Sequence, residues 1–244
     1  MFKFILWINN IFPNNILCKF LWKYYWNRFW ERERLTEKEQ MGVLAEKSEI
    51  KGSERAELIE AIASQSPFDS LLEVACSCGQ NFFTLAPMFP KVSFSGIDRD
   101  KEAVEEGKVL LEKNNISNVE LTLTDARDLS MFEDNSFDVV ISCAFMLYIW
   151  PDDVEPVLKE MFRVAKRKII IMEQHQVHPE DNQKYIGTYY HFKQSYPGYW
   201  LRDYKELFKK YVSVDKIKIK KIPNPRFITE QWDKYASLVE VDVN

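Results

Sequence analysis

From residue 70 onward, short apolar runs alternate with stretches whose apolar residues recur at helical spacing. "SLLEVA" (70–75) and "VSFSGID" (92–98) read as short buried strands, each with an acid near its end. "NVELTLTD" (118–125) alternates as a half-buried strand does, and "FDVVISCAF" (137–145) is almost continuously apolar, as in a central strand covered on both faces. "KIIIMEQ" (168–174) is a fifth strand, and "VSVDKIKIKKI" (212–222) and "SLVEVDV" (237–243) supply two more. Between them lie helical patterns: "ERAELIEAIAS" before the first strand, 80–86, 100–115 with Asp100 placed to cap it, 152–167 and 201–211. About 25 residues after the fifth strand show no clear period and are rich in Tyr, His and Gly. Seven strands alternating with helices of this length predict a doubly wound, mostly parallel α/β sheet with helices on both faces.

Composition adds an asymmetry to this picture. Residues 1–34 carry six Lys/Arg against two Glu, a surplus of four positive charges; the whole chain is −4, so the rest is −8. An acidic body argues against a broad nucleic-acid footprint. The predicted division is a helical, aromatic extension over 1–50 and one α/β domain over 51–244. "FILWI" near the start is broken by Asn9 and Asn10, no run of about 18 apolar residues follows, and no small-residue cleavage site is evident. The expectation is a cytoplasmic protein. Four cysteines (Cys18, Cys76, Cys78, Cys143) form neither a disulfide framework nor a zinc-ligand pattern, so no metal is expected.

The candidate chemistry begins at "LLEVACSCGQN" (71–81), where a strand ending in Glu73 runs into a turn of the smallest side chains. Small residues allow a ligand to lie against the backbone. Asp98 ends the next strand 19 residues after Gly79, the spacing at which an acid can hold two ribose hydroxyls. Asp125, followed by Ala126, comes at the end of the third predicted strand, so three acids converge on one sheet edge. A pyrophosphate would require a G-x-G-x-x-G turn. An acidic edge suits a cationic, phosphate-free nucleoside better, and S-adenosylmethionine (SAM) is such a ligand.

These motifs resemble the class I SAM-dependent methyltransferases. "LLEVACSCGQN" resembles their first motif, "GIDRD" the second, "LTDARDL" the adenine-side motif and "FDVVISCAFM" the fourth strand with its motif. The resemblance implies a Rossmann-like fold whose C-terminal strand is antiparallel, with SAM as cofactor. It assigns Glu73, Ala75, Cys76 and Gly79 to the cofactor loop, and Asp98 with neighbouring Arg99 to the ribose. Asp125 and Ala126 fall on the adenine, and Ser142 and Cys143 near the methionine portion. Ala75 and Ser77 depart from the family's glycines, so an unusual backbone angle at Ser77 would carry mild strain.

The acceptor is less visible. After the fourth strand the chain reads "SCAFMLY" rather than the N/D-P-P-Y/F found in family members that methylate DNA bases or glutamine, which favours oxygen or carbon over nitrogen. Tyr148 and Glu173 are candidates for the substrate pocket. His175, His178 and His191, all the histidines of the chain, follow the fifth strand; His191 and then His175 are the favoured general bases. In 16–30, Lys19, Lys23 and Asn27 form a narrow polar stripe on an otherwise apolar and aromatic helix. That pattern fits a membrane interface and a lipid-linked or other small-molecule acceptor, with a lid or a dimer contact as the other readings. Competing functions are a non-catalytic SAM-binding module and, disfavoured by the loop, a NAD-type oxidoreductase.

Overall fold

The computed structural model describes residues 54–176, 183–186, 189–191, 194–196, 199–222 and 234–244. The extension over 1–50 and His178 lie outside them. The unit that carries the sheet comprises Glu49–Lys184 and Trp200–Asn244; Tyr185–Tyr199 belongs to a second unit.

The sheet unit begins with α1 (Glu54–Ala63). Then β1 (Ser70–Val74), α2 (Phe82–Met88), β2 (Ser93–Asp98), α3 (Lys101–Lys113) and β3 (Val119–Leu123) form one half. β4 (Phe137–Cys143), a 3-10 turn at Met146–Tyr148, α4 (Pro151–Val164) and β5 (Ala165–Gln174) continue it. Short strands follow: β6 (Gln183–Ile186), β7 (Tyr189–His191), β8 (Gln194–Tyr196) and β9 (Tyr199–Arg202). In the second unit β7 and β8 pair antiparallel, with His191 opposite Gln194. The chain closes with α5 (Tyr204–Phe208), β10 (Ile217–Lys221) and β11 (Ala236–Asp242).

The seven-stranded sheet has the order β10-β11-β5-β4-β1-β2-β3. β3, β2, β1, β4 and β5 run parallel, whereas β11 is antiparallel to both β5 and β10. This is the expected Rossmann-like architecture, with its antiparallel C-terminal strand. Strand order reverses between β1 and β4, which places a crevice beyond the carboxyl ends of those strands. All seven positions of β4 except Cys143 are buried, as the unbroken apolar run requires. One face packs Leu72, Val74, Val140, Ile169 and Ile171 against Val154, Leu158 and Met161 of α4 and Phe208 of α5.

The cap at Asp100 forms as expected: its carboxylate accepts from the backbone N–H of Glu102 and Ala103. Several boundaries differ. α4 stops at Val164, and β5 starts at Ala165 rather than at 168. The helix expected over 201–211 begins only at Tyr204, because Asp203 caps it by accepting from Glu206 N–H at 3.1 Å. Leu201 and Arg202 belong to β9, where all four residues are buried; full burial erased the periodicity that separates strand from helix. Residues 214–216 form a 3-10 turn before β10 instead of its first part. β3 ends at Leu123, so Asp125 lies two residues beyond the strand rather than on its end.

Candidate active site

The loop after β1 turns on alternate residues. Ala75 (φ 61°), Ser77 (φ 53°) and Gly79 (φ 79°) all have left-handed backbone. Glycine accepts that conformation freely, whereas an alanine or serine is strained there by about 1–2 kcal/mol. The strain anticipated at Ser77 is present, and Ala75 shares it. Hydrogen bonds hold the shape: Cys76 N–H donates to Ile97 O at 2.9 Å, Gly79 N–H to Cys76 O at 2.8 Å, and Ser77 N–H to the Asp98 carboxylate at 2.8 Å. A Cβ at Gly79 would meet the Phe82 ring at 3.1 Å. With its N–H used inside the turn, Gly79 offers a ligand close approach rather than a donor. Cys76 and Cys78 are buried, and burial pushes the Cys76 thiol well above its ordinary range, which suits small packing side chains rather than reactive thiols.

The three acids occupy distinct environments. Glu73 is buried, and its Oε1 accepts from Asn81 Nδ2 at 2.6 Å while Oε2 has no hydrogen-bond partner. Desolvation raises its pKa to about 8, against the smaller opposing effects of Asn81 and the Arg55 charge. An unpaired, buried carboxyl oxygen next to a ligand loop is a polar group awaiting a partner. Asp98 accepts from Ser77 N–H and, at 2.9 Å, from Asp100 N–H, one bond on each oxygen. A carboxylate has about four lone-pair sites, so two remain for a pair of hydroxyls. Asp125 is held by Arg127 in a fork (2.8 and 2.7 Å), and Arg127 reaches on to Asp153 at 3.2 Å. The Arg127 hydrogen bonds keep the Asp125 carboxyl below its usual range. Arg99 is exposed beside Asp98, and Ala126 is buried against the core. These features fit a ribonucleoside with a cationic tail.

The carboxyl ends of β4 and β5 form the other side of the crevice. Ser142 is fully buried with its hydroxyl unpartnered; Cys143 is half-buried, and Ala144 turns the chain at φ 50°. Tyr148 is half-buried on the 3-10 turn that follows. Glu173 is wholly buried within the protein. Its carboxylate accepts from the backbone N–H of Phe145 (2.7 Å), Met146 (2.6 Å) and Leu147 (3.3 Å). Its role in the structure is therefore to hold that turn. Desolvation still raises its pKa to about 7.

His175 is partly buried, and its Nδ1 accepts from Tyr204 N–H at 3.3 Å, at the start of α5. Burial lowers its pKa, so the ring is neutral near pH 7 and carries its proton on Nε2. Its one lone pair is already engaged, which leaves no acceptor nitrogen for a base. His191 is in β7, and its side chain lies outside the described residues.

Sequence reasoning missed three participants: Asn81, Tyr204 and above all Arg202. Arg202 is fully buried and donates to the carbonyl oxygens of Met146 and Ile149. The available signal was an arginine set in "YWLRDY" among aromatics, in a segment that the sequence reading gave to a helix over 201–211.

Residues 71–168 match the model of a methyltransferase domain family. A Haemophilus influenzae protein described only as uncharacterized is 32% identical over 97 residues, which are 39% of this chain and 38% of that protein. Among solved structures, the PH0226 protein of Pyrococcus horikoshii is similar with a TM-score of 0.56 at 21% identity, over 78% of this chain and 90% of that one. The magnesium protoporphyrin IX methyltransferase of Synechocystis, solved with bound SAM, is similar with a TM-score of 0.52 at 12% identity, over 78% of each chain.

Proposed function

We propose that this chain, whose residues 71–168 match a methyltransferase domain, is a class I methyltransferase that uses SAM to transfer a methyl group to a small-molecule or lipid-linked acceptor. The observation that carries the reading is the convergence of Glu73, Asp98 and Asp125 on one sheet edge around a left-handed small-residue loop. SAM when bound supplies a methyl group on a sulfonium, open to in-line displacement. Asp98 would hold the ribose hydroxyls, Asp125 the adenine amino group and Glu73 the cationic tail. Ser142 and Cys143 would border the methionine portion.

Much of the rate in such a displacement comes from holding the nucleophile in line. The sequence after β4 favours an oxygen or carbon acceptor. For a hydroxyl, His191 is our choice to take the proton. Its replacement by Ala should slow single-turnover transfer by roughly 10²-fold while SAM binding persists. Transfer by the Ala variant within a few-fold of wild type would remove that role.

The polar stripe at 16–30 supports an acceptor reached at an anionic membrane surface, tested by sedimentation of the full chain with anionic liposomes. Among the described residues no helix is long and apolar enough to cross a membrane. The experiment that decides the cofactor class is calorimetry with SAM, S-adenosylhomocysteine and NAD. Binding of the first two and not the third is expected; binding of NAD alone would overturn the proposal. Binding of SAM without transfer to any acceptor pool would favour a SAM-binding module instead.

A further inference from the structure

Two buried ionisable side chains act on one short turn, Glu173 on its N–H groups and Arg202 on its carbonyls. Between β4 and α4 the chain must reverse beyond the sheet edge, and Ala144 in left-handed conformation begins the reversal. The turn that follows, Phe145 to Ile149, makes two internal backbone bonds: Tyr148 N–H donates to Phe145 O at 3.0 Å and Ile149 N–H to Met146 O at 3.1 Å. Five further hydrogen bonds come to it from two side chains. Glu173, from the end of β5, accepts from three consecutive N–H groups, Phe145, Met146 and Leu147. Arg202, from the end of β9, donates to the carbonyls of Met146 and Ile149. Both side chains have zero exposure, and Tyr204, also fully buried, stands beside them.

A buried carboxylate and a buried guanidinium are costly, and breaking such an arrangement by removing one member leaves the other uncompensated. A loop needed only to connect β4 to α4 could be tied by ordinary turn residues. Here a carboxyl and a guanidinium are taken out of water to fix the segment that carries Tyr148 past the β4 end. Trp150, which ends the segment, is itself fixed by an edge-on contact with Trp200 at 5.5 Å.

We propose that Glu173 and Arg202 are positioning residues for methyl transfer, clamping the 145–149 turn so that Tyr148 forms a fixed wall of the acceptor site beside the SAM methyl. Neither touches the reacting atoms. Their effect passes through the backbone of the turn, and the proposal rests on the methyl-transfer reading above. The hydrogen bonds that hold the cofactor loop, Glu73, Asp98 and Asp125 involve neither Glu173 nor Arg202, so the clamp is separable from the ribose and adenine contacts.

The test uses the full chain, SAM labelled in its methyl group, and two acceptor pools: an aqueous cell extract and a chloroform–methanol lipid extract. Wild type is compared with Glu173→Gln, Arg202→Met, Arg202→Lys and Tyr148→Ala. For the Gln and Met variants we expect a SAM dissociation constant within about threefold of wild type. Transfer at saturating SAM should be at least tenfold slower, with Arg202→Lys recovering part of it and Tyr148→Ala sharing the defect. Hydrogen exchange should accelerate in a peptide covering 144–150 and not in peptides covering β1 and β2. If a clamp variant does not fold, Tyr148→Ala and the Lys variant keep the proposal open to refutation.

The proposal is overturned if the variants transfer at the wild-type rate, if SAM affinity falls in proportion to transfer, or if exchange in 144–150 is unchanged. Absence of transfer by wild type to either pool would overturn the methyl-transfer reading itself, and this proposal with it. Transfer by wild type that the variants match overturns the clamp alone.

Discussion

At the residue scale, Asp98 is the most decisive side chain of the proposed cofactor site. Its two oxygens are already oriented by Ser77 and Asp100 N–H groups, so the remaining lone pairs are fixed in space before a ligand arrives. Charge-assisted hydrogen bonds contribute about 1.5–3 kcal/mol each, and Asp98→Ala removes two. SAM should bind at least tenfold more weakly to the folded variant by calorimetry; an unchanged dissociation constant would dissociate Asp98 from the ribose. Asp98 was legible in the sequence because its distance from the loop is fixed by a strand–turn–helix–strand unit. Its backbone bond to Ser77 was not, since that bond exists only when β1 and β2 lie side by side.

At the scale of elements, the cofactor loop is shaped by what presses on it. α3 crosses close behind it, and Gly107 is the point of contact. A Cβ there would sit 2.6 Å from the Cys78 carbonyl oxygen and 2.5 Å from a Leu121 methyl. In an exposed helix, Gly→Ala is stabilising by roughly 0.5–1 kcal/mol. Gly107→Ala should instead destabilise, by about 1–3 kcal/mol, because a backbone carbonyl cannot give way as a flexible side chain can. Urea melts of the variant, with and without SAM, measure both the loss and any weakening of the loop. A more stable variant with unaltered SAM affinity would show that α3 has room to move. Sequence periodicity found α3 and its cap, but it carries no sign that Gly107 is the place where two elements meet.

For the molecule as a whole, two buried carboxyls set the response to pH. Glu73 has a folded pKa of about 8 and Glu173 about 7, both raised from 4.5 by desolvation. Below pH 4.5 folded and unfolded states are equally protonated at these sites. As pH rises past 4.5 the unfolded chain ionises first, so stability declines until each folded pKa is passed and is level above about 8. Asp138, Glu160 and His175, whose folded pKa values are lowered, act in the other direction and cost stability only as pH falls through their own ranges. The ligand-free protein should therefore melt at a higher temperature near pH 5.5 than near pH 8.5, and Glu73→Gln should reduce that difference. A melting temperature that climbs steadily to pH 8.5 would contradict the burial of these two groups.

The sequence by itself determined the alternation of strands and helices, the sheet they must form and the acids at its carboxyl edge. These depend on local periodicity and on short, fixed spacings along the chain. Tertiary structure decided the rest. Arg202, 29 residues beyond Glu173, finds its place only when β9 comes up beside the end of β5, as the bridge between His175 and Arg202 records. Glu173 changed from a pocket candidate to the anchor of a turn because its partners are backbone N–H groups, which no residue letter announces. His175 lost its free nitrogen to Tyr204 for the same reason. Charge burial and backbone hydrogen bonding belong to the assembled sheet edge, and a linear pattern carries no trace of which group will be shut away from water there.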